Sequence, residues 1–192
     1  GYRARFADGS TIDVHTDAGA MEEEIRRVCG PDAAAGYGRL RTWLTQLYRA
    51  EIDRFIGANF DSPLGLLGPD LARLAALGGF GRLAPRIARY LPDERLQRIF
   101  SFQAMYAGVA PHQALALYAV IAYLDSVAGV YFPKGGIHAV SRALADVATK
   151  HGVTIHYGST VTSVSVANGR ATGVVCADGR RFAADTVVLN PD

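Results

Sequence analysis

A chain of 192 residues with 49% hydrophobic and 20% charged side chains can bury a substantial core, as one large domain or two small ones, and is not a disordered polypeptide. A formal charge of only +2, with no Lys/Arg block interleaved with aromatics, gives no reason to expect nucleic acid. The two cysteines, Cys29 and Cys176, lie far apart and form neither a metal spacing nor a disulfide framework, so a reducing compartment is the default.

The N-terminus carries no basic-then-apolar signal segment. The longest nearly unbroken apolar run, "ALALYAVIAYL" at 114–124, is too short to span a bilayer, so any membrane contact is expected to be peripheral. Residues 1–16 read as a β-hairpin: "YRARF" alternates, "ADGS" supplies an Asp-Gly turn, and "TIDVH" alternates again. Residues 17–127 read as a helical block without strand-like alternation. Pro31, Pro69, Pro92 and Pro111 each stand where a helix can start, because the missing N–H costs least there, and they divide the block into about five helices.

Residues 128–192 return to a mixed pattern. The short apolar run "VAGVYF" reads as a strand, and Gly135-Gly136 precede a helix from about Ile137 to Lys150 with Val140, Leu144 and Val147 on one face. The period then becomes two. "VTIHY", "STVTSVSV", "ATGVVCA" and "RFAAD" read as strands, with "ANGR" and "ADGR" as tight turns, and the continuous apolar "TVVLN" reads as a strand covered on both faces. The fold class is therefore α+β: hairpin, helical block, strand, helix, β-meander, strand. The opening alternation and the closing strand both look like elements already under way, so the chain is expected to be a piece of a longer polypeptide.

Two segments invite a functional reading. Gly135 and Gly136 suit a plain strand-to-helix turn; equally, missing side chains let backbone N–H groups at a helix N-terminus approach a large ligand, with Lys134 alongside. In "LARLAALGGFGRLAPRIARYL", residues 71–91, Phe80, Leu83, Ala84, Ile87 and Leu91 share one helical face while Arg82, Arg86 and Arg89 share the other. That pattern fits a surface helix over a core, and it also fits an interfacial helix with arginines at anionic headgroups. Pro85 is placed to interrupt or restart it.

His15, His112, His151 and His156 occur singly in ordinary contexts and read as structural. His138, in the first turn after Gly136, is a weak catalytic candidate beside the blander reading of an exposed helix-start histidine. No Ser-His-Asp set, carboxylate pair or metal cluster can be assembled. G-x-G-x-x-G after a strand is absent from this sequence, and with it the usual pyrophosphate grip of a dinucleotide site.

Taken together, "GPDAAAGYGRL", "FDSPLGLL", "YLPDERLQRIFSFQAMYAGVAP", "YAVIAYLDSVAGVYFPKGGIHAVSRALADVATKHGV" and "VTSVSVANGRATGVVCADGRRFAADTVVLNPD" resemble the bacterial-type phytoene desaturases. These are FAD-dependent flavoproteins of an amine-oxidase-like superfamily that also includes carotenoid isomerases and oxidases. The resemblance covers nearly the whole chain in family order and implies the central part of that fold. Residues 1–16 and 17–127 would form the substrate- and membrane-facing region, and residues 128–192 an incomplete part of the FAD-binding domain, with the main FAD motif outside this chain.

Gly135, Gly136, Val161, Asn190, Pro191 and Asp192 are the implied cofactor-binding positions, Val161 through its backbone. Phe80, Leu83, Ile87, Arg82, Arg86, Arg89 and Phe132 are the implied substrate or membrane contacts. The implied chemistry is hydride transfer from an allylic carbon of a long polyene to the flavin, in a cytoplasmic protein held peripherally at a membrane, with the oligomeric state open. One departure is visible: an acid-base pair proposed in relatives falls in "SPLGLLGP", where this chain has Gly65 and Gly68. That keeps isomerase or oxidase activity, or a non-catalytic lipid-binding module, open.

Overall fold

The alternation of the first residues sets the hairpin register. In a computed structural model, which describes residues 1–59 and 62–190, strands β1 (Tyr2–Arg5) and β2 (Thr11–Val14) pair antiparallel with Tyr2 opposite Val14 and Ala4 opposite Ile12. Ile12 and Val14 point inward, while the Arg3 guanidinium forks onto the Asp13 carboxylate at 2.6 and 2.9 Å on the outer face. The chain forms two compact units, Gly1–Tyr131 and Phe132–Asp192.

In the first unit the helices are built around α2. Helix α1 (Ala18–Cys29) starts where the Asp17 carboxylate accepts the Ala20 N–H at 2.8 Å; Met21 and Ile25 enter the core one turn apart, and Glu22, Glu23 and Glu24 pair with Arg26 and Arg27 outside. Helix α2 (Pro31–Glu51) opens with Pro31 in its first turn, as expected, and packs against α1, α3 (Pro69–Ala76) and α6 (Ala119–Tyr123). It contributes Tyr37, Leu40, Leu44 and Leu47, each at most 1% exposed. Gly36 is required by packing: a Cβ there would sit 2.1 Å from the Tyr90 carbonyl oxygen. Both α2 and α6 loosen into π-helical turns at their C-terminal ends, Ile52–Ile56 and Leu124–Ala128, and Tyr48 stacks on Tyr123 with centroids 4.3 Å apart.

The arginine-rich segment does not form one helix. α3 ends at Ala76, a turn carries the chain across 77–82, and α4 (Leu83–Ala88) restarts with Pro85 inside its first turn, where its missing N–H is harmless. The turn is tied down by extended pairing: Ala116 N–H donates to Gly81, Leu117 N–H to Gly79 and Leu83 N–H to Ala114. Pro92 lies just before α5 (Glu94–Ile99), which Asp93 caps. Pro111 begins a turn rather than a helix, and short 3-10 turns at Phe102–Ala107 and Ala116–Tyr118 lead into α6.

The second unit holds α7 (His138–Lys150) and an antiparallel meander of β3 (Val161–Ala167), β4 (Arg170–Cys176) and β5 (Arg181–Ala183). Asn168 takes φ 51 in the β3–β4 turn, as the Asn-Gly pair led us to expect. Three expected strands do not form. "VAGVYF" becomes a π-turn followed by irregular chain, and "VTIHY" and "TVVLN" are irregular as well. A strand needs a partner for its N–H and C=O groups, and the described residues supply none beside these segments; Val188 and Leu189 are 86% and 65% exposed.

Candidate functional site

The Gly135-Gly136 turn is formed by a Gly136 N–H bond to the Pro133 carbonyl at 3.0 Å, followed by Ala139 N–H to Gly136 O, which opens α7. Both glycines have positive φ, 89 and 90, so the backbone conformation alone demands them. They also face open space: a Cβ on Gly136 meets nothing within 4 Å, and one on Gly135 meets only the Ala139 Cβ at 3.8 Å. A bare backbone at the start of a 13-residue helix, flanked by Phe132 at 76% exposure, fits the close approach of a large planar group such as a flavin.

His138 is the first residue of α7 and lines a hollow of about 740 Å³ with Ser141, Arg142, Asp146 and Tyr157. His138, Arg142 and Asp146 follow one another at four-residue spacing, so a polar stripe runs along α7 on the side away from Val140, Leu144 and Val147. Val161 opens β3 opposite Cys176 and Asn190 is exposed; neither is among the described residues lining this hollow. Pro191 and Asp192 lie outside the described residues.

Of the substrate or membrane contacts expected in residues 80–91, burial corrects a membrane-facing role for Leu83 and Ile87. Leu83 and Ile87, at 1% and 0% exposure, are core side chains of the first unit, so the apolar stripe points inward and not to a surface. Two of the arginines are also engaged: Arg82 donates to the Gln113 carbonyl, and the Arg86 guanidinium lies 5.7 Å from the Trp43 ring centroid, over Gly78. Phe80, 49% exposed, and Arg89 remain at the surface.

Burial also reveals groups that no sequence pattern singled out. Glu51 at the end of α2 is 4% exposed with Oε1 unpartnered, and burial pushes its carboxyl up to about 8. Gln103, 1% exposed, donates from Nε2 to the Ile99 carbonyl at 2.9 Å and to Asp125 Oδ2 at 3.1 Å. Asp125 lines a second hollow, about 310 Å³, together with Gly1, Tyr2, Val14, Thr16 and Val130. Tyr2 meets Phe102 edge to face at 6.3 Å and Phe102 meets Tyr106 likewise at 5.7 Å; burial, then the Asp125 charge, push the Tyr2 hydroxyl above its ordinary range. The available signal was a single acid inside the apolar run "AVIAYLDSVAGVYF".

Among the described residues no group of His, Cys, Asp and Glu can hold a metal, and no helix is long and apolar enough to cross a membrane. Cys29 accepts a weak bond from Arg95 at 3.6 Å, and burial, followed by the Asp93 charge, pushes its thiol up to about 11, away from nucleophilic use.

Residues 2–191 match the family model of flavin containing amine oxidoreductases. Over its whole length the chain is 59% identical to a phytoene dehydrogenase of Streptomyces griseus, covering 38% of that protein. It is 33% identical to a zeta-carotene-forming phytoene desaturase of Myxococcus xanthus, covering 37% of it. With a hydroxyneurosporene desaturase of Cereibacter sphaeroides it shares 34% identity over 97% of this chain and 38% of the other. The chain thus spans a little over a third of the length of these relatives.

Proposed function

The chain belongs to the flavin containing amine oxidoreductase family, and from that premise we propose that it is the central part of an FAD-dependent desaturase of a phytoene-like polyene. The observation that carries this reading is the 59% identity to a phytoene dehydrogenase across the entire chain. When bound, the flavin supplies a two-electron hydride acceptor, chemistry that no side chain offers.

The residues that would hold it are Gly135 and Gly136, whose open backbone would admit a flat ring system, with Val161 offering backbone hydrogen bonds and Asn190 contributing to the same site. Pro191 and Asp192 belong to the same expectation. The remaining task of the protein is to align an apolar chain and keep water out, which suits exposed aromatics such as Tyr106, Tyr131 and Phe132 better than a charged site. Family membership brings a flavin. That it is FAD, and that the enzyme works at a cytoplasmic membrane face, are parts of the proposal.

The test uses the full-length enzyme, anaerobic, with FAD and phytoene in liposomes. New long-wavelength polyene absorbance is expected; a change of double-bond geometry without longer conjugation replaces the desaturase by an isomerase, and no change removes both. The 192-residue chain alone is expected to retain no flavin through gel filtration. For membrane docking, Phe80→Ala with Arg89→Glu is expected to reduce liposome co-sedimentation of the full-length protein, and unchanged binding removes that face from the argument.

A further inference from the structure

We propose that Glu51 is a proton-operated latch at the end of α2: while its carboxyl is neutral the turn Ile52–Ile56 stays closed, and when the carboxyl ionises that turn is released. This inference concerns the first unit alone and goes beyond the desaturase reading without depending on it.

The geometry has two parts. Glu51 is the last residue of α2, 4% exposed, and its Oε1 has no hydrogen-bond partner. No ion pair among the described residues includes it. A carboxylate needs a cation or several donors to stay at such a place, because taking the charge out of water costs far more than taking out the neutral acid. Burial alone raises this carboxyl from 4.5 to about 8. The charged and titratable groups on the elements packed against α2 are not causes of that shift. They are Asp53 and Arg54 in the turn, Asp70 and Arg73 of α3, Tyr123 of α6 and Asp125 just after it, while the acids and arginines of α1 pair with one another.

The second part is the change of helix beside this acid. Before it, Leu47 and Ala50 are 0% and 1% exposed, so α2 is fixed in the core to its last turn. After it, Ile52–Ile56 widens into a π-helical turn, closed by the Gly57 N–H on the Ile52 carbonyl at 2.8 Å. None of these five residues is buried, Phe55 being partly so against the core, and Arg54 reaches the Gly65 carbonyl at 3.4 Å. Releasing the turn therefore exposes little apolar surface, whereas unwinding α2 would open Leu40, Leu44 and Leu47 to water.

The closed state keeps the carboxyl at its raised value, and in the released state it meets water and returns to its ordinary one. Protons thus favour closure: it is fully supported below about pH 4.5, and between 4.5 and 8 each further pH unit shifts the ratio toward release by up to about tenfold.

The experiment follows amide hydrogen exchange by mass spectrometry in the full-length protein at pH 6 and pH 8, corrected for intrinsic rates, for wild type, Glu51→Gln and Asp53→Asn. In wild type, peptides covering residues 52–57 are expected to lose protection by at least about tenfold between the two pH values, while those covering Leu40–Leu47 hold theirs. Glu51→Gln keeps the shape of the side chain but cannot ionise, so its protection at pH 8 is expected to equal that of wild type at pH 6. Asp53→Asn removes an exposed acid of the same turn and is expected to respond as wild type does. Equal corrected protection of 52–57 at both pH values in wild type overturns the latch, as does a pH response that persists in Glu51→Gln or is abolished in Asp53→Asn. An equal loss over Leu40–Leu47 overturns it too, because that marks general loosening of the unit. None of these outcomes touches the test with phytoene, so the latch and the desaturase reading fail separately.

Discussion

Helices α1 and α7 are nearly equal in length and equally two-faced in sequence, yet they meet opposite fates in the two units. In α1, Met21 and Ile25 reach 0% exposure against the hairpin and α2; in α7, Val140, Leu144 and Val147 stand at 47%, 66% and 52%. The first unit surrounds α2 with apolar partners on several sides. In the second, Gly173 and Cys176 are the buried residues among those described. Periodicity tells which face of a helix is apolar, but a core exists only where a second layer meets that face.

The largest effect expected from this contrast is in amide hydrogen exchange of the 192-residue chain. Amides of α2 around Leu40–Leu47 are expected to exchange at least about 10³-fold more slowly than those of α7, because opening α2 requires unfolding the core whereas α7 opens locally. Equal protection in the two helices breaks the comparison outright. Next in size are truncations of equivalent apolar side chains. Leu44→Ala, at 0% exposure, is expected to cost about 3–4 kcal/mol in urea unfolding, and Leu144→Ala, at 66%, less than about 0.5 kcal/mol. In the full-length enzyme the Leu144 cost is expected to rise to core values, which would identify its face as one that another layer covers.

The elements legible in the sequence are those that local physics decides. The hairpin, the Pro31 and Pro69 helix starts, the helix after Gly135-Gly136 and the Asn-Gly turn of the meander all depend on neighbours within a few residues. What it hid depends on distant partners. "VTIHY" and "TVVLN" have strand composition, but a strand is decided by what lies beside it. Leu83 and Ile87 look alike whether a helix covers a core or a bilayer. Asp125 and Glu51 are single acids without a motif, and only the packing of α6, the Phe102–Ala107 turn and the end of α2 shows that one faces a hollow and the other is buried unpartnered.

Glu51 gives a prediction confined to the first unit. Its folded carboxyl is raised to about 8 from 4.5, so its contribution is fully present below about pH 4.5, where both states are protonated, and is lost as pH rises toward 8, because the unfolded chain ionises first. After allowance for residual solvation the loss amounts to about 3 kcal/mol at pH 8. Glu51→Gln is expected to flatten stability between pH 5 and pH 8 in urea titrations at several pH values. An unchanged slope shows that Glu51 is solvated or paired in solution.

The smallest effect uses a motif that both units contain. Asp93-Glu94-Arg95 and Asp178-Gly179-Arg180 fold the same way: the Asp carboxylate accepts the Arg backbone N–H, at 2.8 and 3.0 Å, and the Arg guanidinium, at 2.7 and 2.6 Å. Their surroundings differ. Asp93 is 21% exposed, caps α5, and its partner Arg95 also reaches Ser10 Oγ at 3.1 Å, tying the hairpin turn to α5; Asp178 is 48% exposed on a hairpin tip. The Arg95 guanidinium holds the Asp93 carboxyl down to about 2, so the stability it provides is present above about pH 4 and lost as pH falls through 2. Asp93→Ala is therefore expected to cost about 1–2 kcal/mol at pH 7, with the difference from wild type narrowing at pH 2 to what the lost cap leaves, whereas Asp178→Ala is expected to leave the melting curve unchanged. Since the two motifs share sequence spacing and hydrogen bonds, any difference between the mutants measures what the first unit's packing adds to the same local chemistry; equal effects would mean that the exposed meander turn is as firmly embedded as the end of α5.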